Sequence, residues 1–83
     1  MHHVVWITGA SSGIGAALVA EYARQGWLVI ATARRETLLN QVARNSGFSE
    51  RISLLPADLT DLEALPSLVD RAWSIHGGID CCI

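Results

Sequence analysis

The sequence predicts an α/β fold in which a parallel β-sheet lies between helices in three layers. Four short apolar runs alternate with three segments of helical periodicity, and glycine or proline marks most of their boundaries. This alternation is typical of parallel strands joined by right-handed crossovers. We therefore expect about four strands in the order 3-2-1-4 and three helices, with a ligand crevice where the strand order switches.

The first half of the chain predicts two strands and two helices. The apolar runs at residues 4–7 and 28–32 predict the strands, and the second run suits a strand buried on both faces. Residues 14–25 and 35–46 have helical spacing, and each segment is followed by a glycine that stops the helix. The residues expected on the apolar face of the first helix are Ile14, Leu18, Val19, Tyr22 and Ala23.

The second half repeats the pattern. Residues 52–55 predict the third strand, which ends at Pro56, and residues 79–83 begin a fourth. The third helix ends at Gly77 and Gly78, and its predicted apolar stripe consists of Leu65, Leu68, Val69, Ala72 and Trp73. The three tryptophans, Trp6, Trp27 and Trp73, are expected to pack between helices and sheet.

The start of the third helix has two interpretations. Thr60 and Glu63 have the spacing of a capping box, which predicts a start near Thr60. Pro66 is best tolerated in a first turn, which favours a start near Leu65 after an irregular turn.

Length and charge set the class of protein. The 83 residues fit one domain, here residues 1–83, and the formal net charge of −2 does not suggest a nucleic acid or an anionic membrane as partner. The longest apolar runs are far shorter than the roughly 20 residues that cross a bilayer. Because no signal peptide is recognisable, we expect a cytoplasmic protein.

The cysteines and histidines do not predict a metal site. Cys81 and Cys82 are adjacent, so in a strand their side chains point to opposite faces, and both are expected to be small buried apolar residues. His2 and His3 diverge in the same way and have no third ligand nearby, so they are expected to be solvated.

The segment Thr8-Gly9-Ala10-Ser11-Ser12-Gly13-Ile14-Gly15 joins the first strand to the first helix. Glycines allow a tight turn, and unpaired N–H groups at a helix start favour an anion such as a phosphate. A P-loop starting at Gly9 would need glycine at 14 and lysine at 15, where Ile14 and Gly15 stand. The fingerprint G-x-G-x-x-G would need its third glycine at Leu18, so that match is incomplete.

The pattern Thr-Gly-x-x-x-Gly-x-Gly, with Ala-Ser-Ser and Ile in its gaps, resembles the short-chain dehydrogenase/reductase family. The resemblance covers the whole chain and implies the N-terminal part of an NAD(P)-binding Rossmann domain. In that family the turn binds the cofactor, which implies contacts from Gly9, Ser11, Ser12, Gly13, Ile14 and Gly15. Thr8 would tie the turn together through its hydroxyl.

The end of the second strand indicates which cofactor is preferred. NAD sites usually place a carboxylate there, and by resemblance that position is Ala33, which is followed by Arg34. A guanidinium binds phosphate oxygens well, so Arg34 favours NADP(H) over NAD(H), unless it is an ordinary surface arginine. Arg35 either assists or is a solvated first-turn residue, and Ser12 could add a hydroxyl to the same phosphate.

Asp58 and Leu59, just after the third strand, match the family's acidic and apolar pair beside adenine. The resemblance implies that Asp58 accepts a hydrogen bond from the adenine amino group while Leu59 packs along the ring. The alternative is an aspartate that caps a helix or forms a turn.

The family's catalytic serine and Tyr-x-x-x-Lys pair lie further along its sequence, so the resemblance assigns no catalytic residue here. Tyr22 has glycine, not lysine, four positions later and is expected to pack. The whole protein would transfer hydride between NADP(H) and a small carbonyl or alcohol substrate, as a homo-oligomer. The alternative is a short nucleotide-binding or regulatory module without turnover. The isolated 83-residue chain should self-associate through its open fourth strand.

Overall fold

The computed structural model describes residues 3–83, in which a four-stranded sheet is flanked by three α-helices. The strands are β1 (Val4–Thr8), β2 (Leu28–Thr32), β3 (Ile52–Leu54) and β4 (Cys81–Cys82). The helices are α1 (Gly13–Arg24), α2 (Glu36–Ser46) and α3 (Leu65–His76), and a short 3₁₀ helix occupies Ser49–Arg51. Strands and helices therefore alternate as the sequence predicts.

The sheet is parallel and has the order β3-β2-β1-β4, which confirms the predicted order. β1 lies in the interior and pairs with β2 along its whole length, so that Val4 lies opposite Leu28 and Thr8 opposite Thr32. On its other side, Val5 lies opposite Cys81. The strand order reverses beside β1, which places the predicted crevice at the carboxyl end of this strand.

Successive residues of β1 pack on opposite faces of the sheet, as the pleat of a strand requires. Val5 and Ile7 are fully buried in the cluster that includes residues of α1 and α2. Val4 and Trp6 belong to a second cluster, which includes Leu68 of α3. The molecule therefore has the predicted three layers, with α1 and α2 on one face and α3 on the other.

The third helix begins at Leu65, so the alternative start near Thr60 is wrong. A helix from Thr60 would place Pro66 in its interior, where the missing N–H would interrupt the hydrogen-bond ladder. The chain instead forms consecutive turns, in which Asp61 N–H donates to the Asp58 carbonyl (3.1 Å) and Ala64 N–H donates to the Asp61 carbonyl (3.2 Å). Pro66 then lies in the first turn of α3.

The fourth strand is shorter than the predicted span of residues 79–83. Its regular part contains Cys81 and Cys82 alone. The backbone nevertheless continues to bond to β1 on both sides, since Asp80 N–H donates to the Val4 carbonyl and Ile83 N–H donates to the Trp6 carbonyl, both at 2.8 Å. The other predicted bounds differ by at most one residue, as at the third strand, which ends at Leu54.

Four side chains expected in the core are exposed. Ile14 is 81% exposed, in the first turn of α1 beside the carboxyl edge of the sheet. Trp73 (55%) and Val69 (47%) lie on a flank of α3 that no described element covers, whereas Leu68 and Ala72 of the same helix are buried. Cys82 is exposed while Cys81 packs against the core, because adjacent strand residues face opposite ways.

Trp6, Trp27 and Tyr22 pack as predicted. Trp6 is buried, and Trp27 and Tyr22 are partly buried against the core. The Tyr22 and Trp27 rings meet edge to face, with centroids 4.9 Å apart.

His3 is exposed, with its ring 5.0 Å from that of Trp27. His2 lies outside the described residues, and within residues 3–83 no group of three or more His, Cys, Asp or Glu side chains could hold a metal ion.

Candidate functional site

The glycine turn connects the carboxyl end of β1 to the first turn of α1. Gly13 has φ +49°, a backbone conformation that residues with a Cβ rarely adopt. Gly15 is required for a different reason, since a Cβ on this residue would lie 2.0 Å from the carbonyl oxygen of Gly9. The turn therefore needs glycine at position 13 for its backbone conformation and at position 15 for close contact.

The amino end of α1 is not capped by a side chain. Ser12 takes the N-cap position with an extended backbone (φ −142°, ψ 150°), but its hydroxyl makes no capping hydrogen bond. The first turn of α1 also has no acidic residue. The helix dipole and the unpaired first N–H groups thus give this end a partial positive charge that is available to an anion.

Backbone hydrogen bonds join three segments at the carboxyl end of β2. The carbonyl of Thr32 accepts from Ala10 N–H in the glycine turn (3.1 Å), and the carbonyl of Ala33 accepts from Ala57 N–H (3.0 Å). The glycine turn and the segment after β3 are therefore each tied directly to neighbouring residues of one strand end.

A cavity of about 380 Å³ opens between these segments. Its lining residues are Gly9, Ser11, Ala33, Arg34, Arg35, Leu38, Ala57, Asp58, Leu59 and Thr60. Six of the ten residues that the sequence singles out are among them, namely Gly9, Ser11, Arg34, Arg35, Asp58 and Leu59. The other four, Ser12, Gly13, Ile14 and Gly15, lie in the turn and the start of α1 and do not line it.

Both arginines line the cavity from the connection between β2 and α2, and both are exposed. Arg35 occupies the N-cap position of α2 and Arg34 directly precedes it. Ala33, at the predicted carboxylate position, is buried and lines the same cavity. This end of β2 therefore presents two positive charges to the cavity without a carboxylate at position 33.

Asp58 follows β3, lines the same cavity and forms a local turn. Its Oδ1 accepts hydrogen bonds from the Thr60 hydroxyl (2.6 Å) and the Thr60 N–H (2.9 Å). These two bonds, the hydroxyl first, lower the pKa of the Asp58 carboxyl from its usual value, and the positive charge of Arg34 adds to the effect. The turn-forming role considered from the sequence is therefore real, and it occupies only one of the two carboxylate oxygens.

Thr8 does not bond within the glycine turn as expected. Its hydroxyl donates to the carbonyl of Ile83 (2.9 Å), and so does its N–H (2.9 Å). Thr8 therefore ties the end of β1 to the segment that follows β4. The expectation is wrong because the parallel pairing of β1 with β4 brings an acceptor beside this residue.

Sequence reasoning missed Leu38, Ala57 and Thr60 as lining residues. Leu38 is a helical apolar residue, and its contact with the cavity depends on how α2 approaches the sheet. Thr60 could have been found, because a threonine two positions after an aspartate is typical of an Asx-type turn.

The chain is similar in sequence to known reductases and dehydrogenases. It is 44% identical over 80 residues to a fatty acyl-CoA reductase of Mycobacterium tuberculosis, covering 95% of this chain and 27% of that protein. It is also 44% identical over 80 residues to 11-beta-hydroxysteroid dehydrogenase A of Arachis hypogaea, covering 93% of this chain and 23% of that protein. The chain thus spans about a quarter of the length of these relatives.

Solved structures have the same fold. A metagenomic short-chain oxidoreductase in complex with NADP superposes with a TM-score of 0.87 and 30% identity, covering 96% of this chain and 37% of that one. A 3-ketoacyl-(acyl-carrier-protein) reductase from Brucella melitensis, complexed with NADH, gives 0.84 and 28%, covering 96% and 32%. These two similar proteins hold different nicotinamide dinucleotides, so the fold alone does not select one.

Over residues 3–83, no helix combines the length and apolar character needed to cross a membrane.

The sequence model of the family described as short chain dehydrogenase matches residues 3–83. Together with the glycine turn, the strand order and the similar structures, this match shows that the chain belongs to the short-chain dehydrogenase/reductase family.

Proposed function

We propose that the chain carries the adenosine and phosphate half of a nicotinamide dinucleotide site, and that it prefers NADP(H) to NAD(H). One observation carries the proposal. A single cavity brings together the glycine turn after β1, the arginines after β2 and the acidic and apolar pair after β3. Three separate segments thus converge at the carboxyl edge of a parallel sheet, where folds of this type bind nucleotides.

The glycine turn suits the pyrophosphate. The first N–H groups of α1 and the dipole of this helix attract an anion, and no acidic side chain of the first turn competes for them. The close contact of Gly15 with Gly9 brings the start of the helix against the turn. In this assignment Ser11 and Ser12 contribute hydroxyls, while Gly13 and Ile14 contribute the backbone of the first turn.

The arginines suit the phosphate that distinguishes NADP from NAD. Arg34 and Arg35 are exposed, and a guanidinium can bind two phosphate oxygens at once. Ala33 provides no carboxylate to accept from a free ribose 2′-hydroxyl or to repel a 2′-phosphate. Charge and position therefore both favour the phosphorylated ribose.

Asp58 and Leu59 suit the adenine ring. Because Thr60 occupies Oδ1, the Oδ2 atom of Asp58 is available to accept from the adenine amino group. Leu59 lines the cavity with Leu38, which gives the base two apolar neighbours. The turn-forming role of Asp58 thus fixes the carboxylate in place for this contact.

The proposed activity of the whole protein is reduction of a small carbonyl compound, or oxidation of the corresponding alcohol. When bound, the nicotinamide ring donates or accepts the hydride. We place in residues 1–83 the first part of the Rossmann domain, which binds and orients the adenosine half, and assign no catalytic residue to them. The names of the similar proteins, a fatty acyl-CoA reductase and a hydroxysteroid dehydrogenase, support this reaction class. We further propose a cytoplasmic homo-oligomer.

The proposal is tested with two small ligands that differ by one phosphate, adenosine 2′,5′-bisphosphate and 5′-AMP. Calorimetric titration of the full-length protein should show tighter binding of the bisphosphate by roughly tenfold or more, as expected for a charge-assisted contact. The difference should shrink at high salt, because the arginines are exposed. Equal affinities would refute the NADP preference, and no binding of either ligand would refute the nucleotide site.

A further inference from the structure

Thr32, the last residue of β2, has the one fully buried polar side chain among residues 3–83. Its Oγ1 accepts a hydrogen bond from the indole Nε1 of Trp6 at 2.8 Å. The two residues are 26 positions apart and lie on neighbouring strands, in the face that packs against α3. A buried hydroxyl and a buried indole N–H thus satisfy each other in an otherwise apolar layer.

The backbone of Thr32 has a separate partner. Its carbonyl accepts from Ala10 N–H in the glycine turn, at 3.1 Å. Thr32 is therefore bonded to the middle of β1 through its side chain and to the turn after β1 through its backbone. These two bonds fix the end of β2 at two points relative to the glycine turn.

The residues that follow Thr32 are those that face the cavity. Ala33 lines it and accepts from Ala57 N–H, while Arg34 supplies the positive charge. A rotation of the strand end at Thr32 would move the guanidinium of Arg34 away from the glycine turn. A charge-assisted contact depends steeply on such a displacement.

We infer that the Trp6–Thr32 hydrogen bond positions Arg34 for the 2′-phosphate, so that Thr32 is a positioning residue for cofactor selectivity. This inference rests on the proposed function. It adds to that function a residue that touches no ligand and acts through the strand end. A hydrogen bond on the sheet face that packs against α3 thereby contributes to the choice of cofactor.

The test measures a ratio of affinities, because a residue that only stabilises the fold would not change it. Thr32→Val keeps the shape and removes the acceptor, and Trp6→Phe keeps an aromatic ring and removes the donor. Each variant should lower the preference of the full-length protein for adenosine 2′,5′-bisphosphate over 5′-AMP by roughly three- to tenfold, the usual effect of one hydrogen bond. Thr32→Ser, which retains the hydroxyl, should restore the preference.

The double variant measures whether the effects of the two substitutions are coupled. If the bond itself is responsible, Trp6→Phe combined with Thr32→Val should reduce the preference no further than either change alone. If Thr32→Val fails to fold, the comparison of Trp6→Phe with the unchanged protein still decides. A lower melting temperature with an unchanged affinity ratio would overturn the inference and leave the proposed function standing. An unchanged protein without any preference would overturn both.

Discussion

A Cβ placed on Gly15 would lie 2.0 Å from the carbonyl oxygen of Gly9, so the first turn of α1 rests directly on the backbone of the glycine turn. In an ordinary helix, replacing glycine by alanine stabilises the fold by about 1 kcal/mol, because alanine has the better helix propensity. The close contact with Gly9 reverses the sign at this position, because the obstructing atom belongs to the backbone.

We therefore expect Gly15→Ala to lower the free energy of unfolding by roughly 1–3 kcal/mol, the usual cost of overpacking. Denaturant titration measures this change. Gly13→Ala is the matched comparison, because it introduces strain at φ +49° without a contact within 4 Å. An increase in stability for Gly15→Ala would contradict the contact.

Replacing Arg34 by alanine should weaken NADPH binding roughly 10- to 100-fold and leave NADH binding nearly unchanged, because the lost contact is charge-assisted. Fluorescence titration of the full-length protein gives both constants. Arg44 is exposed on the last turn of α2 and does not line the cavity, so Arg44→Ala is the control. Equal losses for both cofactors would show that Arg34 does not bind the 2′-phosphate.

Introducing a carboxylate at position 33 should reverse the preference. In Ala33→Asp, the carboxylate would accept from a free ribose hydroxyl and repel a 2′-phosphate, so NADPH affinity should fall by about tenfold relative to NADH. Ala33→Asn introduces a side chain of nearly the same size as aspartate but without its charge, so it should have a smaller effect. If both variants behave alike, shape and not charge determines the selectivity at this position.

The Asp58 carboxyl provides a prediction that depends on pH. Its pKa is lowered in the folded state, first by the Thr60 hydroxyl. Ionised Asp58 therefore stabilises the fold above the unfolded pKa, about 3.9, and this stabilisation is lost as the pH falls through the lower folded pKa. Removing the hydroxyl in Thr60→Val should raise the folded pKa, while Thr60→Ser should keep it low. A carbon-detected NMR titration of the Asp58 carboxyl would reveal an unchanged pKa if the hydroxyl has no effect.

The exposed flank of α3 should promote self-association of the isolated 83-residue chain. Val69 and Trp73 are four positions apart on this helix and both are about half exposed. Val69→Lys should shift the sedimentation profile towards monomer, since it places a charge in the apolar patch. Ser67→Lys adds the same charge to an exposed polar position of α3 and should change the profile less. A monomeric, monodisperse parent chain would contradict the prediction.

The sheet order and the three layers could be predicted from the sequence because both follow from local patterns. The residues of β1 and β2 are apolar in uninterrupted runs, and β-α alternation restricts the connections to a few forms. Exposure could not be predicted equally well at Trp73 or Ile14. Helical spacing shows which residues share a face, but it does not show whether another element covers that face.

Part of the candidate site could also be predicted from the sequence. The turn could be located from its glycines, because a turn of this geometry accepts few other residues, and Arg34 could be located by counting from the strand end. The bond between Trp6 and Thr32 could not, because it joins residues 26 positions apart and no spacing rule connects them. Thr60 and Glu63 have the spacing of a capping box, but Thr60 instead bonds to Asp58 and the helix begins at Leu65.

The three tryptophans lie in three different surroundings, and this gives the protein built-in optical reporters. Trp6 is buried beside the strand end that precedes Arg34, Trp27 is partly buried against Tyr22, and Trp73 is about half exposed on α3. Emission from Trp6 should therefore be the most blue-shifted, and that from Trp73 the most accessible to a soluble quencher. With Trp27 and Trp73 replaced by phenylalanine, Trp6 alone would report on the strand end beside the cofactor site.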